Sequence, residues 1–259
     1  MELEVLLSVM NIKRKDLSGM NITSKCTVVN QSSRNKKDSK YKNFNIYTFV
    51  EVGLSNSRNR GLEKVRGDII LLCDDDVVYN EDYEKIVLEE FEKNKDADVI
   101  LFNLESPYRK RKIIKKDKKL HLYNSLGYSS SSIAFRRRSI MKKRIVFNQL
   151  FGAGSLYTSG EDTLFLVDCL KNKLNVYLSS KYIGVVNHLT STWFNGYNEK
   201  YFFDKGALYT AINLKFRKIY MLQYLFRHKY VLNELSFFKA YKMMKRGSKD
   251  YLKRVKFYE

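Results

Sequence analysis

The sequence is poor in proline. Pro107 is the single one in 259 residues, so helices and strands meet little obligatory interruption and no proline-rich linker divides the chain. Cysteine is scarce as well: Cys26, Cys73 and Cys169 are an odd number, widely spaced, each inside an apolar stretch. That excludes a disulfide framework and a thiolate zinc site, and casts them as small buried hydrophobes in a reducing compartment. No run approaches the roughly 18 apolar residues that span a bilayer. The opening "MELEVLLSVMN" has no basic stretch before its short apolar run, so no secretion signal is expected. The expected localisation is cytoplasmic, either free or peripheral on the inner face of the cell membrane.

Acidic residues are also outnumbered. Asp and Glu total 28 against 48 Lys and Arg, a net charge of +20. Such a chain attracts polyanions, whether nucleic acid, anionic lipid or phosphorylated substrates, and charge alone does not choose among them. Hydrophobic residues make up 44%, enough for a sizeable core. The length suits one large α/β domain or one domain with an appendage.

Short apolar runs alternate with amphipathic stretches. Val5–Val9, "CTVVN" (26–30), "NIYTFV" (45–50), "DIILLC" (68–73) and "ADVILFNL" (97–104) read as strands, and "SSSSIAFRR" and "NVYLSSKYIGVV" as further β segments. "SNSRNRGLEKVRG" reads as a helix capped by Ser55 and ended by Gly67. "NEDYEKIVLEEFEKN" places Tyr83, Val87 and Phe91 on one helical face, and "GEDTLFLVDCLKN" does the same with Leu164, Val167 and Leu170. The alternation predicts an α/β fold with a mixed, mainly parallel sheet flanked by helices. The last fifty or so residues mix aromatics with Lys and Arg, and Val231, Leu235, Phe238 and Tyr241 keep helical spacing. Residues 1–210 are expected to form the main domain, and 211–259 a helical, basic extension that either lies on anionic lipid as an interfacial helix or packs on the main domain with its lysines in water.

In that basic background, Asp74, Asp75 and Asp76 follow directly on the apolar run Ile69–Cys73. Open parallel sheets bind ligands beyond the carboxyl ends of their strands. Three crowded carboxylates there repel unless a cation neutralises them. Their hard oxygens suit Mg²⁺ or Mn²⁺, with phosphate oxygens completing the shell. The plainer alternative is a solvated acidic loop ahead of the helix that begins near Asn80.

The stretch "GLSNSRNRGLEKVRGDIILLCDDDV" resembles family 2 glycosyltransferases of the GT-A (Rossmann-like) fold. Their Gly-x-Ser-x-x-Arg-Asn-x-Gly helix is matched by Gly53, Ser55, Arg58, Asn59 and Gly61. Their Gly-Asp strand start is matched by Gly67 and Asp68, and their Asp-x-Asp motif by Asp74 and Asp76. A second block, "FGAGSLYTSGEDTLFLVDCLKNKLNVYLSS", resembles their acceptor-side segment. A third, "TSTWFNGYNEKYFFDKGALYTA", resembles bacterial surface-polysaccharide members.

The resemblance implies a nucleotide-sugar donor, usually a UDP-sugar, with Mn²⁺ or Mg²⁺ on its diphosphate. It implies Asp76 and Asp74 as metal ligands, with His188 as a weaker further one. Asp162 takes the place of the catalytic base and Glu161 stands beside it as the fallback. Arg58, Asp74, Asp75, Asn11, Asn30 and Gln31 fall on the donor side. Gly152, Gly154 and Trp193 fall on the acceptor side, the acceptor being a glycan or a lipid-diphosphate-linked chain. Two places depart from the family pattern. The first strand ends in "SVMN" with Asn11, and the second in "VNQSS", where Asn30 and Gln31 replace the acid that reads uracil.

Each residue also has a plainer role. Glu161 and Asp162 suit any first helical turn, since acids complement its dipole. His188 and Trp193 are as readily structural, Gly152 and Gly154 a plain turn, and the basic run 108–119 a solvated loop. The competing functions are a sugar nucleotidyltransferase and a non-enzymatic protein that binds nucleic acid or anionic lipid. The first lacks a glycine-rich phosphate loop near the N-terminus, and the second leaves the acidic triplet without a purpose. No nucleic-acid partner is expected, and the sequence fixes no oligomeric state.

Overall fold

The apolar runs become strands close to where periodicity places them. In the computed structural model, β1 spans Leu3–Met10, β2 Lys25–Gln31, β4 Phe44–Phe49, β5 Ile69–Asp74, β7 Val99–Glu105, β9 Ile133–Arg136 and β10 Val176–Val186. Shorter strands are β3 (Ser39–Tyr41), β6 (Val77–Tyr79) and β8 (Lys118–Lys119). The structure describes all residues except 13–16, 35–36, 108–111, 129, 188–195, 233 and 256–259. The chain falls into two units: Met1–Gln149 with Glu161–Thr190, and Leu150–Gly160 with Ser191–Glu259. The sequence-based division at 210/211 lies within a helix of the second unit, Glu199–Ile212.

The first unit is built on one sheet, in the order β3-β4-β2-β1-β5-β9-β7-β10-β6, with β8 on β10. The pairs β1–β2, β1–β5, β2–β4 and β7–β10 are parallel. β9 is inserted antiparallel between β5 and β7, so β4, β2, β1, β5, β7 and β10 all point the same way. Alternate side chains feed two cores. Val5, Leu7, Ile69 and Leu71 join Tyr83, Val87 and Phe91 in one, and Leu6, Ile70 and Leu72 join Leu62, Phe165 and Cys169 in the other. Helix α1 (Leu54–Lys64) and helix α4 (Glu161–Lys171) therefore cover one face, and α2 (Tyr83–Lys93) the other. A short helix α3 (Arg137–Lys142) follows β9. The three cysteines are buried and unbridged.

The start of α1 differs from the sequence reading. Ser55 does not cap it. Gly53 precedes the helix at φ 117° with no side-chain cap, a backbone state that disfavours any Cβ, and Ser55 lies buried in the first turn. Val65, extended, ends the helix before Gly67. Gly61 lets α1 close on β1, because a Cβ there would strike the Leu6 side chain.

The second unit contains helices α5 (Glu199–Ile212), α6 (Arg217–Arg227) and α7 (Phe237–Val255). Its loop 150–160 is pinned to them. Tyr157 donates from its hydroxyl to Asp250 at 2.8 Å, and Thr158 donates from its backbone N–H to Asp204 at 3.0 Å. The spacing from Val231 to Tyr241 does not mark one helix. Val231 lies in a 3₁₀ turn, Lys229–Leu232, and Phe238 is 84% exposed. Helix α7 instead buries Ala240, Met243, Met244, Gly247 and Ser248, a stripe of period 3.6. Among the described residues no helix is long and apolar enough to cross a membrane.

Candidate active site

At the carboxyl end of the sheet, β5 delivers Asp74 and the turn to β6 carries Asp75 and Asp76. The end of β10 reaches the same turn, where Asn187 donates its backbone N–H to the Asp76 carbonyl at 2.8 Å. Helix α4 begins at Glu161 and Asp162. Between these points lies Arg58 of α1, 1% exposed. Its Nη2 meets Asp74 Oδ1 at 3.0 Å, and its Nη1 meets Asp162 Oδ1 at 2.8 Å and Glu161 Oε1 at 3.4 Å. One guanidinium therefore ties the acidic strand end to the first turn of α4. A planar cation with a fixed fork of donors suits that task in a way a lysine does not.

The charges settle each other. Burial opposes the charge on Arg58, but Asp162, Asp74 and Glu161 outweigh it and raise its pKa. Burial pushes the Glu161 carboxyl up, and the Asp162 charge adds to that rise, against the pull of Arg58. The side chain of Asp162 is 19% exposed against 9% for Glu161, so Asp162 is the more accessible of the two.

What supports Arg58 comes from residues distant in the chain. Phe147 lies with its ring 5.2 Å from the guanidinium carbon. The neighbouring Asn59 clamps Phe147 at both backbone groups: Nδ2 donates to its carbonyl and Oδ1 accepts from its N–H, each at 2.8 Å. The two residues are 88 positions apart, and no local pattern links them.

A cleft of about 230 Å³ opens beyond β1, β2 and β4, lined by Met10, Asn11, Gln31, Val50, Glu51 and Val52 among others. Asn11, at φ 53°, donates its N–H to the Gln31 carbonyl at 2.9 Å. Gln31 donates from Nε2 to the Gly53 carbonyl at 3.0 Å, which fixes the turn into α1. Asn30 lies beneath the cleft, not in its wall. Its Oδ1 accepts from Ile12 at 3.0 Å and its Nδ2 donates to Thr48 at 3.3 Å. Glu51 was not singled out by the sequence. Its Oε1 is buried without a hydrogen-bond partner, and its Oε2 stands 3.5 Å from Arg60 Nε. The family pattern has its acid at the end of the second strand, whereas Glu51 follows β4.

The structure thus gathers Asp74, Arg58, Glu161 and Asp162 in one cluster, and Asn11 and Gln31 in one cleft. Gly152 and Gly154 lie in the second unit, at φ 111° and 76°. They turn a loop whose Phe151 and Tyr157 are fully buried. His188 and Trp193 fall outside the described residues. Among the described residues no three His, Cys, Asp or Glu side chains are gathered to hold a metal by themselves. The aspartates of the β5–β6 turn nevertheless fit a divalent cation in kind. They are hard oxygen donors at a strand end, and Mg²⁺ is commonly held by one or two carboxylates plus substrate phosphates.

Residues 27–148 match the family model described as glycosyl transferase family 2. That matched stretch is a little under half of the chain. The match runs from β2 past the acidic turn to Asn148. No curated protein matches the chain in sequence. Among solved structures, residues 1–349 of S. aureus TarS align with a TM-score of 0.61 at 16% identity, covering 88% of this chain and 72% of that one. The same fragment in complex with UDP-GlcNAc aligns at 0.62, again at 16% identity, covering 88% and 72%. The longer TarS chain aligns at 0.62, also at 16% identity, covering 91% of this chain and 44% of TarS. Likeness at this identity shows the shared GT-A fold, the mixed and mainly parallel sheet flanked by helices that the sequence predicts.

Proposed function

We propose that the chain is a family 2 glycosyl transferase that moves a sugar from a nucleoside-diphosphate donor to a hydroxyl of a growing bacterial surface glycan, with inversion at the anomeric carbon. The observation that carries this reading is the Arg58 cluster, which joins the acidic end of β5 to Asp162 at the start of α4. TarS, of the same fold, has been solved with UDP-GlcNAc, which favours a UDP-sugar as donor.

In this reading the cleft beyond β1, β2 and β4 takes the nucleotide, between Met10, Val50 and Val52. Glu51 serves as the acid facing the base, with Asn11 and Gln31 shaping the wall. Asp76 and Asp74 would hold Mn²⁺ or Mg²⁺, with Asp75 on the donor side and His188 as a further ligand. When bound, that ion supplies positive charge against the diphosphate's developing negative charge. Asp162 accepts the proton of the acceptor hydroxyl as its oxygen bonds to the anomeric carbon. The bond from that carbon to the phosphate oxygen breaks, and its electron pair leaves with the diphosphate. Attack opposite the leaving group inverts the centre. Arg58 touches no reacting atom; it holds Asp162 and Asp74 in register. Gly152, Gly154 and Trp193 are assigned to the acceptor side. A lipid-diphosphate-linked acceptor would hold the chain against the inner face of the membrane.

The test is an assay of nucleoside-diphosphate release and acceptor extension, using a panel of nucleotide sugars with Mn²⁺. Asp162→Asn should retain donor binding and lose transfer by a factor of about 10² or more. Transfer at the wild-type rate in that variant would remove Asp162 as the base.

A further inference from the structure

We infer that the outward face of α6, together with Phe238 of α7, is a docking surface for an anionic lipid bilayer. The basic C-terminal segment as a whole invites such a reading, but the structure excludes the obvious element. Helix α7 has its apolar stripe already occupied by α5. A Cβ on Gly206 would strike the Met244 carbonyl, and one on Gly247 the Phe203 carbonyl. Thr210 of α5 also bonds Ser248 of α7 at 2.8 Å. The exposed side of α7 is lysine and arginine, with nothing apolar beyond its first turn to enter lipid.

Helix α6 is the reverse. It buries Met221 and Leu225 and turns Ile219 and Phe226 outward at 59% and 62% exposed, continuing a line from Phe216 at 45%. These positions recur at helical spacing on a single stripe. Phe226 meets Phe237 at 5.1 Å, and Phe237 meets Phe238 at 5.8 Å. The stripe therefore runs on to the most exposed large apolar side chain described. Scattered exposed apolar residues need no explanation, but a contiguous aromatic patch does.

Charge selects the occupant. Residues 211–259 hold thirteen Lys and Arg against three Asp and Glu. Lys215, Lys218, Arg227, Lys229, Lys239 and Lys242 all lie exposed beside the patch in sequence. Protein interfaces are depleted of lysine, and a nucleic-acid groove does not call for an aliphatic residue at its centre. Aromatic and aliphatic groups with a cationic surround are the pattern of an interfacial helix on anionic lipid.

Co-sedimentation with vesicles tests this without donor or acceptor, so its outcome is independent of the proposed sugar transfer. The full chain is mixed with phosphatidylcholine vesicles with and without phosphatidylglycerol. The expected result is binding to the anionic vesicles, at least tenfold weaker to neutral ones and weakened by salt. Ile219→Asp with Phe226→Asp should cut binding at least tenfold, with the circular dichroism spectrum and melting temperature unchanged. Lys218→Gln with Arg227→Gln, also surface changes, should cut it by a smaller factor on anionic vesicles alone. Wild-type binding in the Asp variant would overturn the inference. So would the absence of vesicle binding, or a dimer in light scattering that the Asp variant dissociates while vesicle binding stays undetected.

Discussion

Arg58 stabilises the site by being shared. Three carboxylates surround it, and each would be repelled by the others without it. Removing one partner of a buried charge network commonly costs 3–5 kcal/mol. Because Asp74 and Asp162 are partly exposed, Arg58→Ala should cost about 3 kcal/mol in urea unfolding. Arg58→Lys should recover only part of that, since an ammonium cannot fork between both sides. Glu161 carries a pH signature. Buried beside Asp162 and facing Arg58, with Asp74 beyond, it binds its proton more tightly in the folded chain than in the unfolded one. Its contribution to stability is therefore full below the ordinary glutamate range and is lost as pH rises through its raised value of about 8. Unfolding of Glu161→Gln against wild type across that window should show the variant gaining relative stability as pH rises; a flat difference would contradict the assignment. In the cleft, Glu51→Gln should weaken donor binding roughly tenfold, about 1.4 kcal/mol. The melting temperature should not fall, because the change removes a partly buried charge and only a half-exposed contact to Arg60. The motif residues were legible in the sequence as types and spacings. Their partners were not: the sequence marks Arg58 as a donor-side residue, while the fold buries it under three acids, and Asn30 points its amide into the scaffold.

Elements were legible where apolar runs had strand length or where apolar residues recurred by four. β5 and β7 are such runs, and α2 presents the Tyr83, Val87 and Phe91 face that its spacing predicts. Partnering was less legible. β9 reads as one more strand, and nothing local says that it runs antiparallel between β5 and β7, because direction is set by the connection and not by the strand. The C-terminal helices show why a period can mislead. Val231, Leu235, Phe238 and Tyr241 match a helix by spacing, yet a 3₁₀ turn breaks the run and the true stripe begins at Ala240. Its small residues exist for close approach to α5. Gly206→Ala, which would raise intrinsic helix propensity, should instead destabilise the second unit by about 2 kcal/mol, because the added carbon meets the Met244 carbonyl. Calorimetric melting would read that loss, and an unchanged melt would mean that the two helices have room to part.

At the scale of the whole molecule, the sequence conveys charge well and division poorly. The chain passes to its second unit at 150, returns at 161 and leaves again at 191, crossings that carry no proline or low-complexity marker. The net charge of +20 suits the two polyanions proposed as partners, a donor diphosphate and a lipid headgroup. The aspartates after β5 are proposed to serve a nucleotide-sugar site. The most direct test is calorimetric titration of the chain with common nucleoside-diphosphate sugars in the presence of Mn²⁺. At least one donor should bind with Kd below about 1 mM, Asp76→Ala should weaken it tenfold or more, and Asp162→Asn should leave it intact. No heat from any donor, or undiminished binding by Asp76→Ala, would contradict it.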